Sequence, residues 1–235
     1  MPGSAGKITE RKARDVGASL VDARMNGDRN GLKEERRDAM VPIQRTHFPV
    51  RQTEALHKGR VSLPGTRYFV TCSAMRPESR LVNTPAASEL SRALVRLEDD
   101  GDCVVLCSTI MPDHAHIILR QTGRLTIGRT VGKLKSLFMR TSAANGIKWQ
   151  RDFFEHRLRP EDDVTGFARY VFMNPYRAGL ISTRHEWRWW RRGDGECMSL
   201  ERELLDGKLP PEEWLPMSPE QMGIRTEDVG EQKSI

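Results

Sequence analysis

With 235 residues, 37% of them hydrophobic, and a mean hydropathy of −0.59, the chain has apolar material for one core plus extensions, not for a core along its whole length. No run approaches the ~18 consecutive apolar residues of a membrane span, and "MPGSAGKITERKARD" holds no apolar signal core, so a soluble cytoplasmic protein without a membrane partner is expected. The net charge of +6 is unevenly spread: residues 1 to 60 hold 13 Lys and Arg against 8 Asp and Glu, residues 61 to 192 hold 21 against 13, and residues 193 to 235 hold 4 against 11.

A basic middle followed by an acidic end suggests a polyanion partner for the middle, with the end solvating or screening it. The four cysteines, Cys72, Cys103, Cys107 and Cys197, form no C-x-x-C pair, which points to a reduced compartment. Cys103 and Cys107 share strand parity and read as small buried hydrophobes.

Residues 1 to 60 are rich in Arg, Lys, Asp and Gly without sustained apolar periodicity, and are expected to form a flexible basic leader. The pattern changes at "VSLPGTRYFVTCSAM", where Pro64-Gly65 punctuates the entry to a strand-like "RYFVTCS". "NTPAASELSRALVRLEDDGD" predicts a helix with Thr84 as cap, Pro85 at its first position, Leu90, Leu94 and Leu97 on one face, and Gly101 at its end. "CVVLCSTIMPDHAHIILR" reads as two strands hinged at Pro112-Asp113. A second helix follows over "TIGRTVGKLKSLFMRTSAANG", with an apolar stripe of Ile127, Val131, Leu134 and Phe138 and a stop at Gly146.

"KWQRDFFEHRLR" is extended, and "EDDVTGFARYVFMN" predicts a helix ending near Pro175. Past Trp190 the pattern fades into a Pro- and Glu-rich stretch, "LPPEEWLPMSPEQ", with no convincing core element. The order predicts an α+β protein: a ferredoxin-like or RRM-like split βαβ sheet with helices on one face, residues 61 to 192, between the leader and an acidic tail of residues 193 to 235.

Within that plan His114 and His116 share one strand face, because alternate side chains of a strand point the same way. Two adjacent imidazoles are a ready pair of metal ligands. Downstream, Tyr170 and Asn174 stand one helical turn apart, so a phenol and an amide could face the imidazole pair.

The segments "MPDHAHIIL", "KWQRDFFEHRLR", "ARYVFMNPYRAGLI" and the closing "EWRWW" together resemble the REP-associated tyrosine transposases, in the single-tyrosine HUH transposase superfamily, over about Tyr68 to Trp190. The resemblance implies that His114 and His116 bind Mg²⁺ or Mn²⁺, and that Tyr170 attacks a phosphodiester of single-stranded DNA to leave a 5′-phosphotyrosine and a free 3′-hydroxyl. Asn174 is the candidate third ligand, although the following Pro175 disfavours helical geometry there. Glu155 and His156 fall in a matching segment as possible auxiliary groups, either near the metal or paired with an arginine. Two departures stand out: Phe154 where the family often has tryptophan, and Tyr176 where a small aliphatic is usual. The second leaves two tyrosines as nucleophile candidates, and the Tyr-x-x-x-Asn spacing favours Tyr170.

The implied partner is single-stranded DNA carrying a hairpin of a repeated extragenic palindrome, with the protein a monomer or a homodimer. Lys133, Lys135, Arg140, Arg151, Arg157 and Arg159 are the candidate phosphate contacts, and Trp149 or Tyr68 a platform for a base. A non-catalytic single-stranded nucleic-acid-binding module of the same fold is the alternative. A histidine-based nucleotide hydrolase would call for a further histidine at position 118, which is Ile118.

Overall fold

The computed structural model describes residues 63 to 230, apart from 77 to 79, 145 and 194 to 197. The expected leader lies outside the described residues. The chain runs β1 (Arg67–Ser73), α1 (Thr84–Asp99), β2 (Cys103–Ile110), β3 (His114–Gln121), α2 (Ile127–Met139), β4 (Phe154–Leu158), α3 (Val164–Arg177), β5 (Trp190–Arg192), α4 (Met198–Glu203) and α5 (Thr226–Val229). Five strands form one antiparallel sheet in the order β4-β1-β3-β2-β5, with β3 inserted between the two strands that α1 connects. This is the split βαβ arrangement expected from the element order, with β5 added at an edge that periodicity alone does not reveal.

Alternation along the strands gives the sheet two apolar faces. Tyr68, Val70 and Cys72 of β1 and Ala115, Ile117 and Leu119 of β3 pack under α1 and α2, against Leu90, Leu94, Leu97, Val131, Leu134 and Phe138. Phe69, Cys107 and Ile118 point the other way and are covered by Phe167, Val171, Phe172 and Met173 of α3. The helices therefore divide between the faces instead of sharing one. An exposed sheet face carrying Phe69 and Ile118 would leave apolar surface in water, and α3 removes it.

Local signals explain most boundaries. The α1 cap is Asn83, one residue before the expected Thr84, and its side chain accepts from the Ala86 N–H at 2.9 Å. Gly101 ends that helix region with φ +70, which a residue without Cβ adopts without strain. Asp163 caps α3 through the Thr165 N–H. Contrary to expectation, α3 continues through Pro175 to Arg177. Pro175 deprives the Val171 carbonyl of its usual helical donor, but Met173, Pro175 and Tyr176 are all buried, so tertiary packing holds the last turn.

The acidic tail also departs from expectation. Leu200, Trp214, Met222, Ile224 and Val229 are buried in the same cluster as α3. Gly166 of α3 permits the approach, because a Cβ there would stand 2.2 Å from the Met222 carbonyl oxygen. Apolar residues spaced irregularly among Pro and Glu carry no helical or strand period, yet they dock one by one. Among the described residues no helix is long and apolar enough to cross a membrane.

Candidate active site

Three strands and one helix build the site. β3 pairs with β1 so that Thr71 lies opposite His116 and Ser73 opposite His114. β2 pairs with β3 so that Thr109 lies opposite His116 on its other side. A register shift between Val105 and Cys107 makes this possible. By simple alternation Thr109 would share the face of Cys103 and Val105; the β-bulge turns Cys107 and Thr109 to the histidine face instead. Cys103 and Cys107 accordingly sit in different clusters, despite their common parity. Glu98 supports the bulge by accepting from the Val105 N–H at 2.8 Å while pairing with Arg191.

His114 and His116 are brought together with their Nε2 atoms 3.1 Å apart. Each Nδ1 has a separate partner: the Asp113 carboxylate lies 2.6 Å from that of His114, and the Thr71 hydroxyl 2.8 Å from that of His116. The Asp113 carboxylate can only accept, so His114 carries its hydrogen on Nδ1 and offers a lone pair at Nε2. With His114 neutral, His116 can donate from Nε2 to that lone pair while its Nδ1 accepts from Thr71. If His116 instead acts as a ligand through Nε2, its hydrogen belongs on Nδ1 and Thr71 must accept it. A hydroxyl serves either tautomer, which makes Thr71 a suitable neighbour for an imidazole that changes roles.

The rest of the pocket is aromatic. Phe69 stacks on His116 at 5.4 Å between ring centroids, and Tyr170 meets the same imidazole edge-on at 5.8 Å. Asn174 donates from its amide to the Tyr170 backbone carbonyl at 3.0 Å, and its side chain also hydrogen-bonds with His116 and with Tyr170. The Arg177 guanidinium lies 6.0 Å from the Tyr170 ring. His114, His116, Tyr170 and Asn174 are all buried. Burial, and then the neighbouring His114, hold His116 well below the usual imidazole range, with Asn174 opposing. Burial likewise raises the Tyr170 phenol, against lowering contributions from Asn174 and Arg177. Both groups are neutral at neutral pH.

The atoms here that could meet a divalent cation are two imidazole nitrogens and an amide oxygen. Among the described residues no group of three or more His, Cys, Asp and Glu gathers as a metal-binding set. Two imidazoles would have to be completed by oxygen, from Asn174, water or substrate, and Mg²⁺ in particular retains waters.

The remaining candidates scatter. Glu155 lies opposite Val70, on the α1/α2 face of the sheet and away from the histidines. His156 is on the histidine face, stacked on Phe167 at 5.4 Å and paired with Asp162 at 3.3 Å and with Asp228 of the tail at 3.2 Å. Lys133 and Lys135 lie on α2, across the sheet from the histidines. Lys133 pairs with Asp100 at 2.8 Å and also with Asp102, while Lys135 donates to the Gln150 and Asp152 carbonyls at 2.9 Å. Arg140 and Arg151 are exposed, and Arg157 and Arg159 line a surface hollow of about 360 Å³ with Glu155, His156 and Pro160. Tyr68 is in the core under α1 and α2 and presents no stacking surface, and Trp149 is half-buried against Phe138. Burial pushes the Cys72 thiol up to about 11 and, with Glu98, that of Cys103 up to about 12, in keeping with inert core residues. Thr71, Thr109 and Asp113 are the site residues that sequence reasoning missed; only Asp113, next to His114, carried any signal.

Comparison with known proteins finds this chain similar to transposases. The chain is 23% identical over 129 residues to a REP-associated tyrosine transposase of Escherichia coli K12, covering 54% of this chain and 77% of the relative. It is 26% identical over 101 residues to a candidate REP-associated tyrosine transposase of Haemophilus influenzae, covering 37% and 56% of the two chains. Both relatives support the resemblance to the REP-associated tyrosine transposases that the motifs imply. A solved structure of a REP-associated tyrosine transposase bound to a REP hairpin gives a TM-score of 0.49 at 22% identity, covering 56% of this chain and 79% of that one. No family model matches.

Proposed function

We propose that the protein is a metal-dependent single-stranded DNA endonuclease and strand transferase, acting on DNA with a REP-type hairpin through a 5′-phosphotyrosine at Tyr170. The observation that carries this reading is the edge contact of the Tyr170 ring with His116, in a pair of imidazoles whose Nε2 atoms converge at 3.1 Å. His114 and His116 through Nε2, and Asn174 through Oδ1, would hold Mg²⁺ or Mn²⁺. Bound there, a cation would supply charge stabilisation to the oxygens of a scissile phosphodiester.

The chain supplies the remaining chemistry. Asp113 and Thr71 fix the two rings so that both Nε2 atoms point into the same space. Tyr170 is the nucleophile: its oxygen forms a bond to phosphorus as the bond from phosphorus to the 3′-oxygen breaks, and the phenolic proton is balanced by the 3′-hydroxyl of the leaving strand. Reversal onto another 3′-hydroxyl rejoins DNA without an external energy source. With Tyr170 and both histidines buried, entry of a phosphate requires α3 or its surroundings to shift. Arg157 and Arg159, exposed at the sheet edge, are the best placed of the basic candidates to meet DNA phosphates, and the pairing of Lys133 and Lys135 argues for structural roles.

The test is denaturing electrophoresis after incubation with a hairpin-bearing single strand and Mg²⁺ or Mn²⁺. Wild-type protein is expected to form a covalent adduct, Tyr170→Phe none, and Tyr176→Phe a normal amount. An adduct persisting in Tyr170→Phe would overturn the assignment. DNA binding without any adduct in the wild type would favour the non-catalytic module.

A further inference from the structure

Thr109 is fully buried, and its hydroxyl has no hydrogen-bond partner. A buried, unpartnered hydroxyl costs about 1–3 kcal/mol, whereas valine has the same shape without that cost. The position is also specific. Thr109 lies directly opposite His116 and, through the bulge between Val105 and Cys107, on the face that carries the imidazole pair. Directly opposed side chains on one face stand about 4.5–5.5 Å apart at Cβ. Thr71 flanks the same imidazole from β1 and is fully employed at its Nδ1, 2.8 Å away. His116 is thus bracketed by two threonine hydroxyls, one engaged and one without a partner.

We propose that Thr109 is a positioning residue of the cation site, its hydroxyl accepting from a water that a hydrated divalent cation keeps when bound at His114 and His116. The inference rests on the cation site proposed above. It accounts for a hydroxyl where packing alone calls for a methyl, and for a bulge whose effect is to turn this residue to the histidine face. Bulges commonly re-aim a side chain in this way beside a reaction centre. Outer partners of this kind typically contribute 10–100-fold to metal affinity.

Mn²⁺ binding to the full chain, followed by calorimetry and by the electron paramagnetic resonance of free Mn²⁺, tests this without reference to activity. Thr109→Val is expected to weaken Mn²⁺ binding by about 10-fold or more and, in EDTA, to melt at or above the wild-type temperature. Thr109→Ser, which keeps the hydroxyl, is expected to retain wild-type affinity. Wild-type affinity in Thr109→Val would overturn the inference while leaving the cation site standing. A lower melting temperature with unchanged affinity, or failure of Thr109→Val to fold, would show a purely structural hydroxyl and overturn it too. If wild type and His116→Ala bind Mn²⁺ alike, the cation site itself fails and the inference with it.

Discussion

Trp214 gives the sharpest test of whether the acidic tail is part of the fold. Its side chain is buried against α3, with the Arg169 guanidinium 5.0 Å from the ring centre. Replacing a core tryptophan with alanine costs about 3–5 kcal/mol in lost transfer energy and residual cavity, against a net stability of roughly 5–15 kcal/mol for a domain. Urea unfolding of the full chain, followed by circular dichroism, should therefore show Trp214→Ala with a midpoint lowered by roughly 2 M, for a slope of about 1–3 kcal/mol/M. Were the tail a solvated appendage, as its composition suggests, the change would stay within about 0.5 kcal/mol, and that result would refute the docking. Gly166→Ala is a companion test whose sign depends on the tail. Alanine is favoured over glycine in a helix by about 1 kcal/mol, yet here its Cβ would meet the Met222 carbonyl oxygen at 2.2 Å. The substitution should destabilise the full chain and lose that penalty in a chain ended after Arg192.

Tyr176→Phe should keep the covalent adduct but lower stability by about 1–2 kcal/mol, because the Tyr176 hydroxyl donates to the His185 carbonyl at 3.1 Å and accepts from the Trp187 N–H at 3.2 Å; unchanged stability would count against those bonds. For pH, His116 titrates far below its unfolded value of about 6.5, so the unfolded chain takes up a proton that the folded chain refuses, and stability falls as pH drops below about 6.5, by up to about 1.4 kcal/mol per unit. With His114 and Tyr170 facing it unchanged, His116→Phe in EDTA should be less sensitive between pH 7.5 and 5 than wild type, and parallel stability curves would reject the assignment.

The sequence made the sheet legible because its strands have one buried face each way and its first two helices carry clean stripes: Ile127, Val131, Leu134 and Phe138 are all buried as the spacing predicts. The histidine pair was legible for the same reason, since period two alone puts His114 and His116 on one face. What escaped was whatever depends on register between strands. Nothing in "RYFVTCS" says that Thr71 stands beside His116, and the parity of Cys103 and Cys107 misleads because a bulge intervenes. Capping was read one residue late at Thr84, since both Asn83 and Thr84 are capping types and only the observed bond to Ala86 decides. The tail escaped because irregular segments bury residues individually, with no period to count.

Burial acts on His116 and Tyr170 in a way that links the two halves of the proposed chemistry. Removing either group from water disfavours its charged form, so the imidazole stays unprotonated and the phenol stays protonated. The first is the state a cation ligand needs, and it keeps protons from competing for Nε2. The second is the wrong state for attack, since each unit by which the phenol is raised adds about 1.36 kcal/mol to the cost of forming phenolate. Tyr170 loses its proton more readily when positive charge beside it offsets the desolvation. Arg177 lies over the ring, and its lowering influence ranks after burial and Asn174. Under the proposed function, the same dry pocket that keeps the phenol protonated would keep His116 free of a proton and open to a cation.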